Sequence, residues 1–257
     1  IGDDLFMKSD AAIIHFGADS DVTMTHVADA GLTIASAGNL HTLQLQSNDD
    51  DANEGPVLQM FRNSSSPVDD DVLGKIKFSG LDGAGNATTY GRIETLIMQE
   101  ANGSEDATME FRIMKAGTER NILELDRGAV IINEDSQDID FRVESDNNTH
   151  ALFVQGSSGK VGMGESSPLC SNGGLHIKSG DSGQGTANVH ADELVVEGSA
   201  NSGINILSGN NDYGSVFFGD NGDSNAGEIT YNHASNYMAF ATSGTERFRI
   251  SSDGLAI

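Results

Sequence analysis

The stretch Gly180–Gly185, GDSGQG, contains the Gly-Asp-Ser-Gly order that surrounds a trypsin-like nucleophile. Acyl transfer by such a serine needs a histidine base, a carboxylate to orient it and backbone donors for the oxyanion. His15, His26, His41, His150 and His176 precede Ser182, but none lies in the sequence surroundings of such a base. Four common turn residues are equally satisfied by a Gly/Ser turn, and that is the reading adopted. No catalytic residue is assigned.

The 39 Asp and Glu residues raise a second possibility, a carboxylate pair for glycoside hydrolysis. That reaction needs two acids roughly 5–10 Å apart in a groove, with aromatic rings for the sugar to stack on. Trp is absent and Tyr numbers four. The acidic runs Asp49–Asp51 and Asp69–Asp71 read as solvated loop charge, so the chain is not expected to be an enzyme. Calcium prefers clustered oxygen ligands on flexible loops. Gly219–Glu228 offers Asp220, Asp223, Asn225 and Glu228, but an EF-hand would place its final Glu roughly eleven residues after the first Asp, and the spacing here is shorter. A polar hairpin loop explains the same letters. No cofactor and no metal ligand are assigned, calcium being the one ion left open. The seven histidines show no zinc-like pair, and Cys170 is the single cysteine, which excludes an intrachain disulfide. His15, between Ile14 and Phe16, reads as a pleat residue facing water or a subunit seam. The Asn-X-Ser/Thr sites at Asn63, Asn86, Asn102 and Asn147 occur at about the level chance gives in so Asn- and Ser-rich a chain.

The elements that would position these residues are strands. Period-two alternation bounded by Gly, Asn, Asp and Ser recurs at Lys75–Phe78, Met109–Met114, Asp140–Glu144, Glu193–Glu197 and Glu246–Ile250. Ile93, Leu96, Ile97 and Glu100 have helical spacing, but the turn-forming stretch Ala101–Asp106 and the alternation of Met109, Phe111 and Ile113 favour a hairpin. The fold class expected is all-β.

Leu, Ile, Val and Phe together number 59, about 23% of 257 residues, close to the ~20% below which highly charged chains fail to fold alone. With only three prolines and many apolar alternations, the sequence predicts a thin core completed by neighbouring copies. Asp and Glu exceed Lys and Arg by 39 to 14, a formal net charge of -25. No basic cluster exists for nucleic acid. Self-repulsion of this size suits a saline setting, where the screening length falls to about 3 Å near 1 M salt. No apolar run approaches the ~20 residues of a membrane-spanning helix. The start at Ile1 without Met predicts a segment or processed piece of a longer protein.

Self-similarity carries the organisation. Four stretches match in the same order: those beginning at Leu43 and Leu194, Leu73 and Tyr213, Tyr90 and Ala226, and Met109 and Met238, the last pair sharing GTER. A smaller unit of strand, Gly-containing reversal and strand is expected at Leu32, Leu123, Leu152 and Phe248. A lone hairpin is marginal in water, so these units must stack. The expected division is an N-terminal β segment (1–42), a first β module (43–133), a connecting hairpin segment (134–170) and a second module (171–257). Glu119 and Arg120, or Glu246 and Arg247, could form interchain pairs at equivalent levels; a surface ion pair worth ~0–1 kcal/mol is the reading preferred.

Several stretches resemble the tail-fibre and related virion proteins of marine bacteriophages: Ala11–Ile34, Asp140–Pro168, Ala187–Asn210 and Gly244–Gly254, with VGMG at Val161–Gly164 similar to the VGIG strand that commonly follows GTERFRISSDG in them. The resemblance implies an elongated β-rich shaft or knob of sandwich, prism or solenoid kind, packed or intertwined as a homotrimer and exposed on a virion in seawater. The expected function is therefore that of a structural virion protein contributing to host attachment, with other virion proteins and a host surface glycan or protein as further partners. The alternatives are a receptor-binding or polysaccharide-degrading tip, a capsid decoration, or a self-assembling extracellular filament.

Overall fold

The computed structural model describes residues 7–29, 31–38, 41–48, 50, 52, 54–171 and 173–256. Every regular element among them is a strand. No helix is long and apolar enough to cross a membrane. Four open sheets, mostly antiparallel, account for all the strands, so the all-β expectation holds.

The described residues divide into two compact units, those up to 76 with 94–107, and those of 77–93 with 108–256. The first unit contains a meander of β1 (Ile13–Phe16), β2 (Val22–Val27) and β3 (Gly31–Ser36). β3 pairs back with β2, Met24 opposite Ile34; the return strand expected at the end of the Leu32 unit falls on Asn39 and Leu40, which lie outside the described residues, and no strand is present among the described residues of 41–71. The alternation LQLQ at Leu43 therefore finds no ladder partner.

A second sheet has the order β4 (Val72–Leu81), β5 (Ala87–Gln99), β6 (Asp106–Lys115), β7 (Thr118–Asp126) and β8 (Ala129–Ile132). The division between the units falls across β4, β5 and β6. The stretch with helical spacing is strand, because a backbone turn from Ala101 O to Ser104 N (2.9 Å) reverses the chain between β5 and β6.

The second unit also contains two further sheets. One has β9 (Phe141–Ser145), β10 (Asn148–Val154), β11 (Val161–Met163), β12 (Leu175–Lys178) and β13 (Leu194–Glu197), with β11, β12 and β13 parallel. It draws strands from both sides of residue 170. The other is an antiparallel meander of β14 (Tyr213–Phe218), β15 (Gly227–Asn232), β16 (Tyr237–Thr242), β17 (Thr245–Ser251) and β18 (Gly254–Ala256).

The β6–β7 and β16–β17 hairpins share local detail. Phe111 faces Leu123 and Phe240 faces Phe248, and in each ladder a bulge follows immediately after that phenylalanine. Each hairpin reverses through two residues with positive φ, Ala116 (49°) and Gly117 (78°) in one, Ser243 (52°) and Gly244 (65°) in the other. Two left-handed central residues give the primed turn whose twist matches that of paired strands. Both second strands then lead into a two-residue reversal, Asp126 pairing Ala129 and Ser251 pairing Gly254.

Apolar burial is sparse. Phe153, Cys170 and Ala239 are the buried apolar residues among those described, whereas eight polar ones are buried, including Glu94, Asn121, His176, Asp192 and Glu197. On β14 the adjacent Phe217 and Phe218 are 54% and 56% exposed. Neighbouring strand residues point to opposite faces, so this edge strand leaves apolar surface open on both.

Candidate functional site

Parallel pairing of β11, β12 and β13 demands long crossovers, and here they are loops rather than helices. The described residues of 164–174, and residues 179–193, lie on the loops that return the chain to the same end of the sheet. The first loop presses on the strands. A Cβ at Gly162 would stand 2.2 Å from the Glu165 carbonyl oxygen, and one at Gly164 would stand 2.3 Å from that of Lys178. Only glycine admits these approaches.

Register then gathers the side chains. His176 pairs Val195 and Lys178 pairs Glu197, so His176, Lys178 and Glu197, two residues apart along parallel strands, share a face. Glu165 reaches them from the loop. Lys178 Nζ lies 2.7 Å from Glu165 Oε2 and 3.5 Å from Glu197 Oε2, and His176 Nε2 lies 3.0 Å from Glu197 Oε2. His176 is fully buried and Glu197 nearly so.

The remaining lone pairs are mostly satisfied. Ser182 donates both its backbone N–H and its hydroxyl to Glu197 Oε1, each at 2.8 Å. The Ser167 N–H donates to Glu165 Oε1 at 2.7 Å, and the Leu169 N–H to His176 Nδ1 at 3.3 Å. That last contact leaves the ring proton of a neutral His176 on Nε2. The 3.0 Å separation from Glu197 is nevertheless out of line for a hydrogen bond, and His176 Nε2 and Glu197 Oε2 are buried without a hydrogen-bonding partner.

Electrostatics follow from these contacts. The Ser182 N–H is the main reason the Glu197 carboxyl is lowered to about 2; the Ser182 hydroxyl, Lys178 and His176 add to it, and burial opposes. Burial pushes Glu165 up, but the Lys178 ammonium and the Ser167 N–H outweigh it and leave it below the usual carboxylate range. Glu165 in turn raises Lys178. Two carboxylates and one ammonium thus stay charged under a loop cap.

The GDSGQG motif enters this cluster through Ser182, whose contacts differ from those of a serine–histidine pair. Glu197 stands between Ser182 and His176, so the hydroxyl donates to a carboxylate and no imidazole base reaches it. Inside the motif Asp181 accepts the Gly183 N–H at 2.7 Å, a local turn bond. Glu165, Lys178 and Glu197 carried no sequence signal of their own; the parallel register that unites them comes from loops of ordinary composition.

The other candidates stay apart. Asp220 accepts the N–H groups of Gly222 and Asp223 (2.8 and 2.9 Å), Asp223 accepts that of Asn225 (2.9 Å), and Glu228 hydrogen-bonds Thr230. These acids close their own loop. Among the described residues, Glu165, His176 and Glu197 are the one group of three with converging ligand atoms. Asp49 and Asp51 lie outside the described residues; Asp50 is exposed. Asp71 pairs with Arg62 at 2.7 Å. His15 is exposed on β1, opposite Thr23.

In the GTER pair, Glu119 bonds Arg92 of the same chain, Glu246 bonds Arg249 twice at 2.6 Å, and Arg247 Nε reaches Thr242 Oγ1 at 2.6 Å. Both glutamates thus have an arginine partner within the chain. A hollow of about 650 Å³ lined by Ile122, Ile132, Phe141 and Phe153 carries Asp140 and Glu144 at its edge. Asp140 accepts the Gly156 N–H at 2.9 Å and Glu144 pairs Arg142 at 2.5 Å. Comparison with known protein families and with curated proteins finds no match for this chain.

Proposed function

We propose that the chain is a structural segment of a virion appendage of the tail-fibre kind, a shaft or knob in which copies pack as a homotrimer in a saline medium. The observation that carries this reading is the shortage of covered apolar surface. The chain has 18571 Å² of accessible surface, where a compact monomer of 27.0 kDa has about 10,800 Å². Leu81, Val130, Leu207 and Phe218 are among the many exposed large apolar side chains, and on β14 Phe217 and Phe218 are exposed side by side, the kind of surface a partner would cover. Obligate interfaces commonly cover about 2,000–5,000 Å² in total, half of it on each partner, so two neighbours cover about 2,000–5,000 Å² of each copy, a substantial part of the excess.

The second support is duplication. The β4–β8 and β14–β18 sheets run in sequential order, with the bulge, the primed turn and the closing two-residue reversal at matched places. We read them as two copies of one module, spanning the last three of the four sequence matches, Leu73 with Tyr213, Tyr90 with Ala226 and Met109 with Met238; the first match, Leu43 with Leu194, lies outside both sheets. The function is then mechanical, and any host recognition falls to loops on a repeated scaffold.

Sedimentation equilibrium at seawater ionic strength tests this. Three copies per particle are expected, with dissociation promoted at low salt, where the charge of -25 per chain repels over a longer range. A monomer that unfolds cooperatively at high dilution sinks the proposal, and an open-ended mass distribution replaces the trimer with a filament.

A further inference from the structure

We propose that Glu165, His176 and Glu197 bind one divalent metal ion of the zinc class, and that the Lys178 ammonium is the cation this ion displaces. The inference is independent of the assembly reading, since all four side chains belong to one copy.

The geometry is near that of a coordination shell. One ligand atom from each of the three residues lies within 4.8 Å of the other two, and His176 Nε2 and Glu197 Oε2 are 3.0 Å apart. Two ligands of a tetrahedral zinc ion at bond lengths of about 2.0–2.1 Å stand roughly 3.3 Å from each other. Those two atoms are also the pair buried without a hydrogen-bonding partner, and an orphaned donor or acceptor in a native interior asks for an unseen partner. Glu197 is oriented for the role: Ser182 occupies its outer oxygen twice, which leaves the inner oxygen for a cation, the outer-shell arrangement typical of metal ligands.

One imidazole with two carboxylates selects a borderline cation rather than calcium, which takes six to eight oxygens. Lys178 already marks the place as cationic, 2.7 Å and 3.5 Å from the two acids. Its side chain is partly exposed, so it can swing to water when a doubly charged ion enters. Binding moves the His176 ring proton from Nε2 to Nδ1 and gives up the long 3.3 Å contact from Leu169.

The test is titration of the chelator-treated full chain with Co²⁺ alone, followed by visible absorption, with Zn²⁺ as competitor. One Co²⁺ per chain with a tetrahedral spectrum is expected, abolished in His176→Gln, which retains six other histidines. Lys178→Met keeps every ligand and removes the competing cation, so it should bind at least tenfold more tightly. A spectrum that survives His176→Gln overturns the proposal, as does the absence of stoichiometric binding in both the native chain and Lys178→Met. Equal or weaker binding by Lys178→Met overturns the displacement, and that variant decides the matter even where His176→Gln fails to fold.

Discussion

Gly162 is where the loop that brings Glu165 to the cluster lies hardest on the sheet, and Gly162→Ala should dislodge it. The added Cβ would meet the Glu165 carbonyl oxygen at 2.2 Å and Pro168 Cγ at 3.2 Å, where ordinary contact begins at 3.4 Å. The carbonyl must retreat by about 1.2 Å, and because it is backbone, no side-chain rotation absorbs the move. Overpacking costs about 1–3 kcal/mol, and a backbone obstacle puts this variant near the upper value, an opening equilibrium shifted about 100-fold. The control is Gly128→Ala, in the β7–β8 reversal. Its Cβ meets nothing within 4 Å and its φ is not left-handed, so the gain is about 0.4–1 kcal/mol from a stiffer unfolded chain. Hydrogen exchange read by mass spectrometry separates the two locally. Amides of β11 and β12 should exchange about 100-fold faster in Gly162→Ala and unchanged in Gly128→Ala. Equal protection in the two variants would refute the claim that the loop is seated by contact at Gly162.

Acid should loosen the cluster in a defined window. The folded Glu197 carboxyl titrates at about 2 against 4.5 unfolded, so its stabilisation is complete above pH 4.5 and disappears as pH falls towards about 2. The unfolding midpoint of the native chain, followed from pH 7 to 2, should drop more steeply than that of Glu197→Gln; parallel curves would show that Glu197 is not held ionised by Ser182. Phe153→Ala, which empties the one buried large apolar position of the β9–β13 sheet, should cost about 3–5 kcal/mol and lower the chemical-denaturation midpoint of that sheet. A loss under about 1 kcal/mol would mean the position collapses or is not closed.

Strands were legible in the sequence wherever alternation met turn chemistry. The glycine of GTER is the second residue of the primed turn in both of its occurrences, and the stretches with the matching order Leu73, Tyr90, Met109 and Tyr213, Ala226, Met238 both build sequential meanders. The reading failed at Leu43, where no strand forms. Alternation states that a segment can be a strand, but it does not choose the neighbour, and β3 pairs with the preceding strand, β2. The buried cluster was illegible for a related reason. Its members stand 11, 2 and 19 residues apart, from Glu165 to His176 to Lys178 to Glu197, and only parallel register across two crossover loops places them together. His176 was weighed as an upstream histidine for Ser182; its partner is the glutamate that Ser182 also holds.

A chain with little apolar material must still fix its strands in register, and the buried residues indicate how. Asn121 donates its side-chain amide to Glu124 (2.6 Å) and its backbone N–H to Asp135 Oδ2 (2.9 Å), Thr230 meets Ser215 (2.8 Å), Glu94 meets Lys75 (2.7 Å), and Asp192 accepts from Ser171 (2.6 Å). Such bonds are directional and worth only about 0.5–1.5 kcal/mol net, so they specify position better than they supply stability. An apolar face is the reverse: it contributes about 25 cal/mol per Å² covered but tolerates sliding, since one greasy surface resembles another. The two kinds of surface are therefore divided in this molecule, with polar contacts inside, where strands are aligned, and apolar area outside. Under the proposed assembly, register is set within a copy before neighbours add the larger energy, and a copy without neighbours is aligned but weakly held.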